Sequence, residues 1–572
     1  MLNVVLYHCN LIPKQDQVQS TQVYVSVATL YLKTYVDLTR PDVASHLNWH
    51  LPIQHAMTDQ ELIDYCWDNE IDVLGLSLFH WSYDYIRSQM LRIRHSLPPR
   101  TCVIAGGGHV IPHSDPDFLQ KHPWIDYAVY GAGEVAFADI AESIINQQPL
   151  IRFNTSNVAW RRGEQNQSVT ADFRYVPEPK VSPYLHCQDL LTAMVQQEQQ
   201  QGYEIELPYQ VTRGCPYKCT FCDWNNGPSN KTTRRRGTYQ DEIDLFYQLG
   251  IKRIDIADAN TGQYPEDIAM FKYFALKNLE HNAGFVLNFS LSKIKKEVNL
   301  ELLTIAARAN LLEGQGFVLA VQDIHPEILD NIDRPDVTWD VHKHMIYQLQ
   351  TEFPHLPVTV QLIQGLPGQT LASWQQTLIE VTKTGARMYV YINEFLTMSP
   401  ANLDPTYARF KMKYSESQRY SGEYYYRNKF PESCTSFDAR DMVEMTMLSH
   451  LLASVGNLQF DLGIRVDIDS LVKEFQNSQS YHDMCEDLLD NWCNNNQFWF
   501  RKAYGGIAVK NNVMTACRFD DAFHHWHHNS IIMRLIISYV IDLKKHWPTL
   551  YKYCKDNAIS LSVTPQDHAL AC

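Results

Sequence analysis

The sequence predicts an α/β protein in three parts: an open parallel sheet wrapped by helices over residues 1–150, a partial barrel of six βα units over 206–400, and a helical C-terminal part over 401–572. Three observations carry this reading. In the first two parts short apolar runs alternate with amphipathic stretches, the pattern of parallel strands joined by crossover helices. Between them, residues 151–205 change character: NVAWRRGEQNQSVT is polar and hairpin-like, VPEPKVSPYL is punctuated by proline, and MVQQEQQQG is a glutamine-rich helix end, so the stretch reads as a linker. After about residue 400 the alternation stops and the chain becomes aromatic and rich in Asn, His and Tyr. A chain of 572 residues exceeds what one hydrophobic core supports, and about three domains are expected.

The strands of the first part are NVVLY, IDVLGLSLF, TCVIAGGG and IDYAVYGAG, separated by amphipathic stretches such as DQELIDYCWDNE and DYIRSQMLRIRHSL. Glycines cluster where these strands end, at Gly106, Gly107 and Gly108 and again at Gly131 and Gly133. In open sheets ligands bind beyond the carboxyl ends of the strands, where glycine lets backbone come close. The six strands of the second part are LPYQVT, IKRIDIAD, GFVLNFS, GQGFVLAV, LPVTVQLI and RMYVYINEF, and the reactive face is again at their carboxyl ends. Directly after the first of them comes RGCPYKCTFCDWNNG, residues 213–227.

Composition narrows the partners. With 45% apolar and 20% charged residues the chain is of ordinary globular type. A net charge of -15 opposes a nucleic-acid backbone, which leaves small molecules or peptides. The start, MLNVVLYHCNLIPKQ, lacks the features of a signal peptide, and the apolar stretch IIMRLIISYVIDL is broken by Arg534 and too short to span a bilayer. A cytoplasmic protein with neither nucleic-acid nor membrane partner is expected. There an odd count of 13 reduced cysteines causes no pairing problem.

Three of those cysteines, Cys215, Cys219 and Cys222, fall within eight positions. A closed zinc site needs a fourth protein ligand, commonly from a second short-spaced pair, and none stands nearby. A thioredoxin-like pair needs two cysteines at a helix start. Iron-sulfur clusters are held by thiolates, usually four, so three thiolates on a four-iron cluster leave one iron open to another ligand. The pattern Cys215-x-x-x-Cys219-x-x-Cys222, with Phe221 before the last cysteine, resembles the signature of the radical S-adenosylmethionine (SAM) superfamily. The resemblance implies a 4Fe-4S cluster on Cys215, Cys219 and Cys222, with SAM chelating the open iron and an external electron donor of flavodoxin or ferredoxin type. Reductive cleavage of SAM then gives a 5'-deoxyadenosyl radical that removes a hydrogen atom. SAM contacts implied in the same way are Phe221; Asp258, ending the strand of IDIADAN; Gln322, in VQDIHPEILDNIDRP, where Asp323 replaces the usual Ser; and Gly365 and Gly368, in QLIQGLPGQT. The ordinary alternative for Asp258 and the two glycines is a cap or turn role.

The first part has its own resemblance. GLSLFHWS, AGGGH and YGAGE are similar to the Rossmann-like cobalamin-binding domain that precedes the barrel in cobalamin-dependent radical SAM enzymes, with Gly131-Ala132-Gly133-Glu134 in place of Gly-Glu-Gly-Glu. This implies cobalamin contacts at Ser77, His80, Trp81, Gly106, Gly107, Gly108, Gly131, Gly133 and Glu134. The Asp-x-His-x-x-Gly element that supplies an axial histidine is missing. A base-off cobalamin is therefore expected, its lower face covered by Trp81 or, second, His80; the alternative for His80 is a surface or internally satisfied histidine.

Weaker signals remain. KTTRRR, residues 231–236, reads as a solvated loop or as a contact for an anionic group. His524 and His528 in HHWHH share a helical face but have no carboxylate partner at metal-site spacing. Tyr424, Tyr425, Tyr426 and the FWF of 498–500 read as core. By resemblance, the expected activity is methylation of an unactivated carbon in a small natural-product precursor or a peptide. The alternatives are cobalamin-dependent ring contraction or cyclisation, non-radical methyl transfer, and a non-catalytic cobalamin or iron-sulfur sensor. No catalytic side chain is singled out.

Overall fold

The computed structural model describes residues 1–10, 22–79, 82–111, 115, 117–148, 150, 155–161, 174–222, 224, 231–314, 316–334, 338–392, 405–421, 424–462 and parts of 465–489, together with the strand segments 502–504, 507–510, 513–516 and 560–561. It divides into two compact units. One comprises Met1–Lys218 and Cys222–Leu311, the other Cys219–Phe221 and Leu312–Cys572.

Among its described residues the first unit holds two larger sheets and the two-stranded ribbon of Thr212–Arg213 and Thr233–Arg234. Its strands, in chain order, are β1 (Leu2–Asn10), β2 (Gln22–Tyr24), β3 (Leu47–Trp49), β4 (Ile53–His55), β5 (Val73–Ser77), β6 (Cys102–Gly106), β7 (Tyr127–Val129), β8 (Val158–Trp160), β9 (Glu204–Tyr209), β10 (Thr212–Arg213), β11 (Thr233–Arg234), β12 (Arg253–Thr261) and β13 (Val286–Leu291). The N-terminal sheet runs β3-β1-β5-β6-β7-β8, with β4 also paired to β1. Its pairings are parallel except β7 with β8. Val4, Val5, Leu6 and Tyr7 of β1 are all buried, as expected of a strand covered on both faces. Taking β3 and β4 as one position and numbering the positions along the chain, the order is 2-1-3-4-5-6, and the direction of winding reverses between β1 and β5. That crevice, beyond the carboxyl ends of β1 and β5, is where such sheets take ligands. Helices such as Asp59–Asp68 and Tyr83–Ile93 form the crossovers, the former starting on a Thr58 and Glu61 capping box.

The stretch 151–205 is more than a linker. β8 joins the first sheet as its antiparallel edge, because Val158, Ala159 and Trp160 are all buried, and the helices Pro183–His186 and Gln188–Gln200 lead into β9. The second sheet of this unit is β13-β12-β9-β2, all parallel, so the N-terminal segment β2 extends the sheet that carries the cysteine loop.

The second unit contains β14 (Phe317–Gln322), β15 (Val358–Gln364), β16 (Arg387–Ile392), β17 (Lys413–Ser421), β18 (Tyr424–Ser433), β19 (Lys502–Tyr504), β20 (Ile507–Lys510), β21 (Val513–Ala516) and β22 (Ser560–Leu561). β14, β15 and β16 are parallel, and β19 adds antiparallel to β16. The six strands expected from the alternation thus all form, three in a parallel sheet of each unit.

The C-terminal part departs from the helical expectation. Two long helices are there, Ala439–Leu462 and Ile468–Gln476, but β17 and β18 make an antiparallel hairpin and β20, β21 and β22 a further small sheet. The run Tyr424–Tyr426 lies in β18, in keeping with the strand preference of aromatic residues, which outweighed the polar character of the segment. The helix Ala439–Leu462 is latched to β15 and to the helix Leu371–Lys383 of its own unit. Gln364 Nε2 donates to Thr446 Oγ1 at 2.8 Å, Ser449 Oγ to Gln364 Oε1 at 3.0 Å, and Trp374 Nε1 to Ser449 Oγ at 3.0 Å. The histidines of HHWHH, the FWF of 498–500 and the stretch containing Arg534 lie outside the described residues. No helix among the described residues is long and apolar enough to cross a membrane.

Candidate functional site

The cysteine loop springs from a two-stranded base. β10 and β11 pair antiparallel, Thr212 opposite Arg234 and Arg213 opposite Thr233, and the chain between them carries all three cysteines. Gly214 stands at the pinch with φ +93; a Cβ there would lie 2.2 Å from the carbonyl oxygen of Lys231, so only glycine fits. The segment KTTRRR contains the second strand of this base, Thr233–Arg234, and two of its arginines are neither solvated nor free for an external anion. Arg235 is fully buried between Glu178 and Glu242, and Arg234 Nη1 meets Asp267 Oδ1 at 2.6 Å, whereas Arg236 is exposed.

Asp258 holds the approach to the loop. It is buried, and its Oδ1 accepts from the backbone N–H of both Val211 and Thr212 at 2.8 Å. Burial pushes its carboxyl up to about 6, against the pull of those two N–H groups and of Arg234. The side chain expected to contact SAM is therefore committed to backbone, the cap role that was its alternative. Asp258→Ala is expected to lower stability by about 1–3 kcal/mol and to reduce the iron retained after anaerobic reconstitution, checked by thermal unfolding and iron analysis.

Two residues further along β12, within the register shift between Ile256 and Thr261, Asn260 Nδ2 lies 3.0 Å from Cys215 Sγ, and Lys293 Nζ donates to Asn260 Oδ1 at 3.0 Å. The sequence reading missed Asn260; strand alternation would not have found it, because the register breaks there. Cys215 and Cys219 are buried, Cys222 is half-buried, and none is in a disulfide. Three reduced thiols on one glycine-pinned loop, one of them facing an N–H donor, suit a cluster whose thiolates bind separate irons.

The middle of the loop belongs to the second unit. Thr220 N donates to Ile332 O at 3.0 Å, and Phe221 packs against a cluster formed by Ile328, Leu329, Ile332, Ile363 and Leu366. Gln322 ends β14 at a register shift, buried, with φ +73. Asp323 after it is wholly inside: its Oδ2 accepts from Gln369 Nε2 at 2.6 Å and its Oδ1 from His325 N at 2.9 Å. Gln369 Oε1 in turn accepts from Gly365 N at 2.7 Å and Leu366 N at 3.0 Å. The Asp in place of Ser thus ties the fourth-strand motif to the glycine turn after β15 through Gln369, a residue the sequence reading passed over. Gly365 and Gly368 have φ +84 and +93, and a Cβ on them would meet Pro431 at 2.7 Å and Asn331 at 2.5 Å. Among the described residues, what approaches these glycines is the protein itself, through β18 and the helix Pro326–Asn331.

At the carboxyl edge of the N-terminal sheet, Ser77 pairs with Gly106 and the two following loops are laced together. Leu78 N donates to Gly106 O at 2.7 Å and His109 N to Leu78 O at 2.9 Å. Gly107, with φ +102, makes this possible, since a Cβ would lie 2.7 Å from Leu78 O. Gly107→Ala is expected to cost of order 1–3 kcal/mol and to weaken hydroxocobalamin uptake, read by denaturant midpoint and by titration. Gly106 and Gly108 are half-exposed, and beside Gly106 a Cβ would meet nothing nearer than Val129 O at 3.9 Å, so that rim is open. His80 and Trp81 lie outside the described residues. His109 follows the glycines with its ring 4.8 Å from that of Tyr83, and burial together with His122 pushes its imidazole down to about 4, so it is neutral at pH 7.

Gly131 is exposed with φ +70, and Gly133 leads into the helix that begins at Glu134. Glu134 is buried; its Oε1 meets Arg213 Nη1 at 2.7 Å, while its Oε2 is buried without a hydrogen-bond partner in the protein. An orphaned acceptor at a glycine-lined rim suits a ligand edged with amide donors, as a corrin ring is.

No family model matches the chain. It is 27% identical over 65% of its length to the cobalamin-dependent radical SAM methyltransferase TokK of Streptomyces tokunonensis. It is 26% identical over 74% of its length to 2-(S-pantetheinyl)-carbapenam-3-carboxylate methyltransferase of Streptantibioticus cattleyicolor. The matched regions span 53% and 60% of those two proteins, little more than half of each. Its fold is similar to that of TsrM, a radical S-adenosylmethionine methyltransferase from Kitasatospora setae solved with cobalamin and a [4Fe-4S] cluster, at a TM-score of 0.55 and 13% identity, covering 85% of this chain and 99% of that one.

Proposed function

We infer that this chain belongs to the cobalamin-dependent radical SAM enzymes and is a methyltransferase acting on a small natural-product precursor. The single observation that carries the reading is the cysteine loop, with three reduced thiols carried between β10 and β11, two of them, Cys215 and Cys222, in the same compact unit as an open parallel sheet whose glycine rim bears the orphaned Glu134 oxygen. Likeness to two curated methyltransferases supports the chemistry, and the pantetheinyl carbapenam carboxylate in one of their names supports a small acid over a peptide.

When bound, the cluster with SAM supplies a carbon-centred radical generator and the corrinoid a transferable methyl group. The chain's own residues supply geometry. Cys215, Cys219 and Cys222 would hold the cluster. Asn260 directs an N–H at the Cys215 sulfur, which stabilises added negative charge there, and Lys293 orients that amide. Asp258 and Gly214 fix the backbone on which Cys215 rides. Gly106, Gly107, Gly108 and Glu134 would line the corrinoid rim, with Ser77 beneath it.

The test is anaerobic reconstitution with iron, sulfide and hydroxocobalamin, followed by mass spectrometry of SAM products in the presence of candidate carboxylic-acid substrates and a flavodoxin or chemical reductant. S-adenosylhomocysteine and 5'-deoxyadenosine in similar amounts, with a methylated product, are expected. The nucleoside alone would mean rearrangement, homocysteine product alone polar transfer, and no SAM turnover a sensor.

A further inference from the structure

One ion pair bridges the glycine loop of the N-terminal sheet and the root of the cysteine loop. Glu134 is the first residue of its helix, immediately after Gly131–Gly133, and its partner Arg213 stands two residues before Cys215. Both side chains are largely inside, 7% and 15% exposed. Arg213 has little freedom to move. Its Nε is 3.4 Å from Glu178 Oε2, its guanidinium lies 5.2 Å from the centre of the Tyr31 ring, and its carbonyl accepts from Tyr175 OH at 3.1 Å. On the other side of the backbone, Thr212 is held by Asp258 and Gly214 is wedged against Lys231. A chain of fixed atoms therefore runs from the helix start at Glu134 to the backbone of Cys215. The sequence shows no reason to connect the two residues, which are 79 positions apart.

We propose that Glu134 and Arg213 are positioning residues, a strut that sets the separation between the corrinoid at the glycine loop and the cluster on Cys215. The proposal rests on the function inferred above. A guanidinium serves where an ammonium would not, because it reaches Glu134 from Nη1 and Glu178 from Nε at once. Radical chemistry shared between two bound groups is sensitive to small errors in separation.

The test uses the full chain reconstituted with iron, sulfide and hydroxocobalamin, then reduced until cob(II)alamin and the cluster are both paramagnetic. The dipolar coupling between the two electron spins falls with the cube of their separation and needs no substrate. Wild-type protein is expected to give one resolved splitting. Arg213→Lys is expected to lose it, through a shifted or smeared coupling, with iron and corrin content as in wild type; Glu134→Gln, which alters the corrinoid rim and leaves Arg213 short of one acid, is expected to lose it in the fraction of molecules that still carries both groups, and to melt below wild type. Arg40→Lys serves as control: Arg40 pairs with Asp139 on the same helix at 2.9 Å and does not touch Arg213, so its splitting should persist. An unchanged splitting in both fully loaded strut variants overturns the proposal, as does its equal loss in Arg40→Lys. Wild-type protein that takes up no corrinoid or no cluster overturns the functional reading, and the strut with it.

Discussion

Exchange of Arg235 for methionine is expected to destabilise the first unit by about 3–5 kcal/mol, seen as a fall in melting temperature of roughly 10 °C. The guanidinium is fully buried and is the common partner of two acids. It donates to Glu242 Oε1 at 2.9 Å and to the carbonyl of Gln210 at 2.7 Å, and it pairs closely with Glu178. Tyr209 OH adds a bond to Glu242 at 2.5 Å, and Tyr31 OH one to Glu178 at 2.9 Å. Removing the cation leaves two acids inside with reduced compensation, which is the costly way to break a buried pair. Neutralising the acids too should reverse most of the loss, so Arg235→Met with Glu178→Gln and Glu242→Gln is expected to melt well above the single variant. Equal melting temperatures for wild type and Arg235→Met would show that the network contributes nothing.

Loss of any one cysteine of the loop should remove the cluster. Cys215→Ala, Cys219→Ala and Cys222→Ala each leave two thiolates for the proposed cubane, in which one iron would already be without a protein ligand. After anaerobic reconstitution, iron and sulfide are expected to fall from about four per chain to background, along with 5'-deoxyadenosine formation. Cys187 gives the contrast. It is equally buried, but its sulfur lies 3.4 Å from Thr34 Oγ1 in the packing around the helix Ala28–Thr39, and Cys187→Ala should keep its iron. Full iron in the loop variants would send the search for ligands elsewhere.

Much of this was legible in the sequence because it rests on local pattern. Each of the six βα strands announces itself by a run of apolar residues, and the cysteine spacing needs no third dimension. What escaped is what depends on long-range pairing. Arg235 reads as one of three basic residues in a loop, and only the strand pairing of β10 with β11 turns it inward while Arg236 beside it faces solvent. Asp258 reads as a polar strand end, and its role becomes visible only once Val211 and Thr212 are brought alongside. The glycines after β15 carry a motif, but their need for a missing side chain comes from Pro431 and Asn331, which lie 66 and 37 residues away in the chain. The hairpin of β17 and β18 was hidden by its polar composition, which resembles surface helix as readily as ribbon.

The pairing of β2 with β9 has a consequence for how such a chain can be divided. Residues 22–24 are donated to the sheet of the cysteine loop, while β1 before them and β3 after them lie in the other sheet. No single cut between residues 25 and 203 yields two fragments that each keep all their strands. A leading fragment expressed alone carries an orphaned edge prone to self-association, and the trailing one lacks its outermost strand. The two lobes are stitched rather than strung, so gene shuffling that exchanges one of them must carry the stitch across as well.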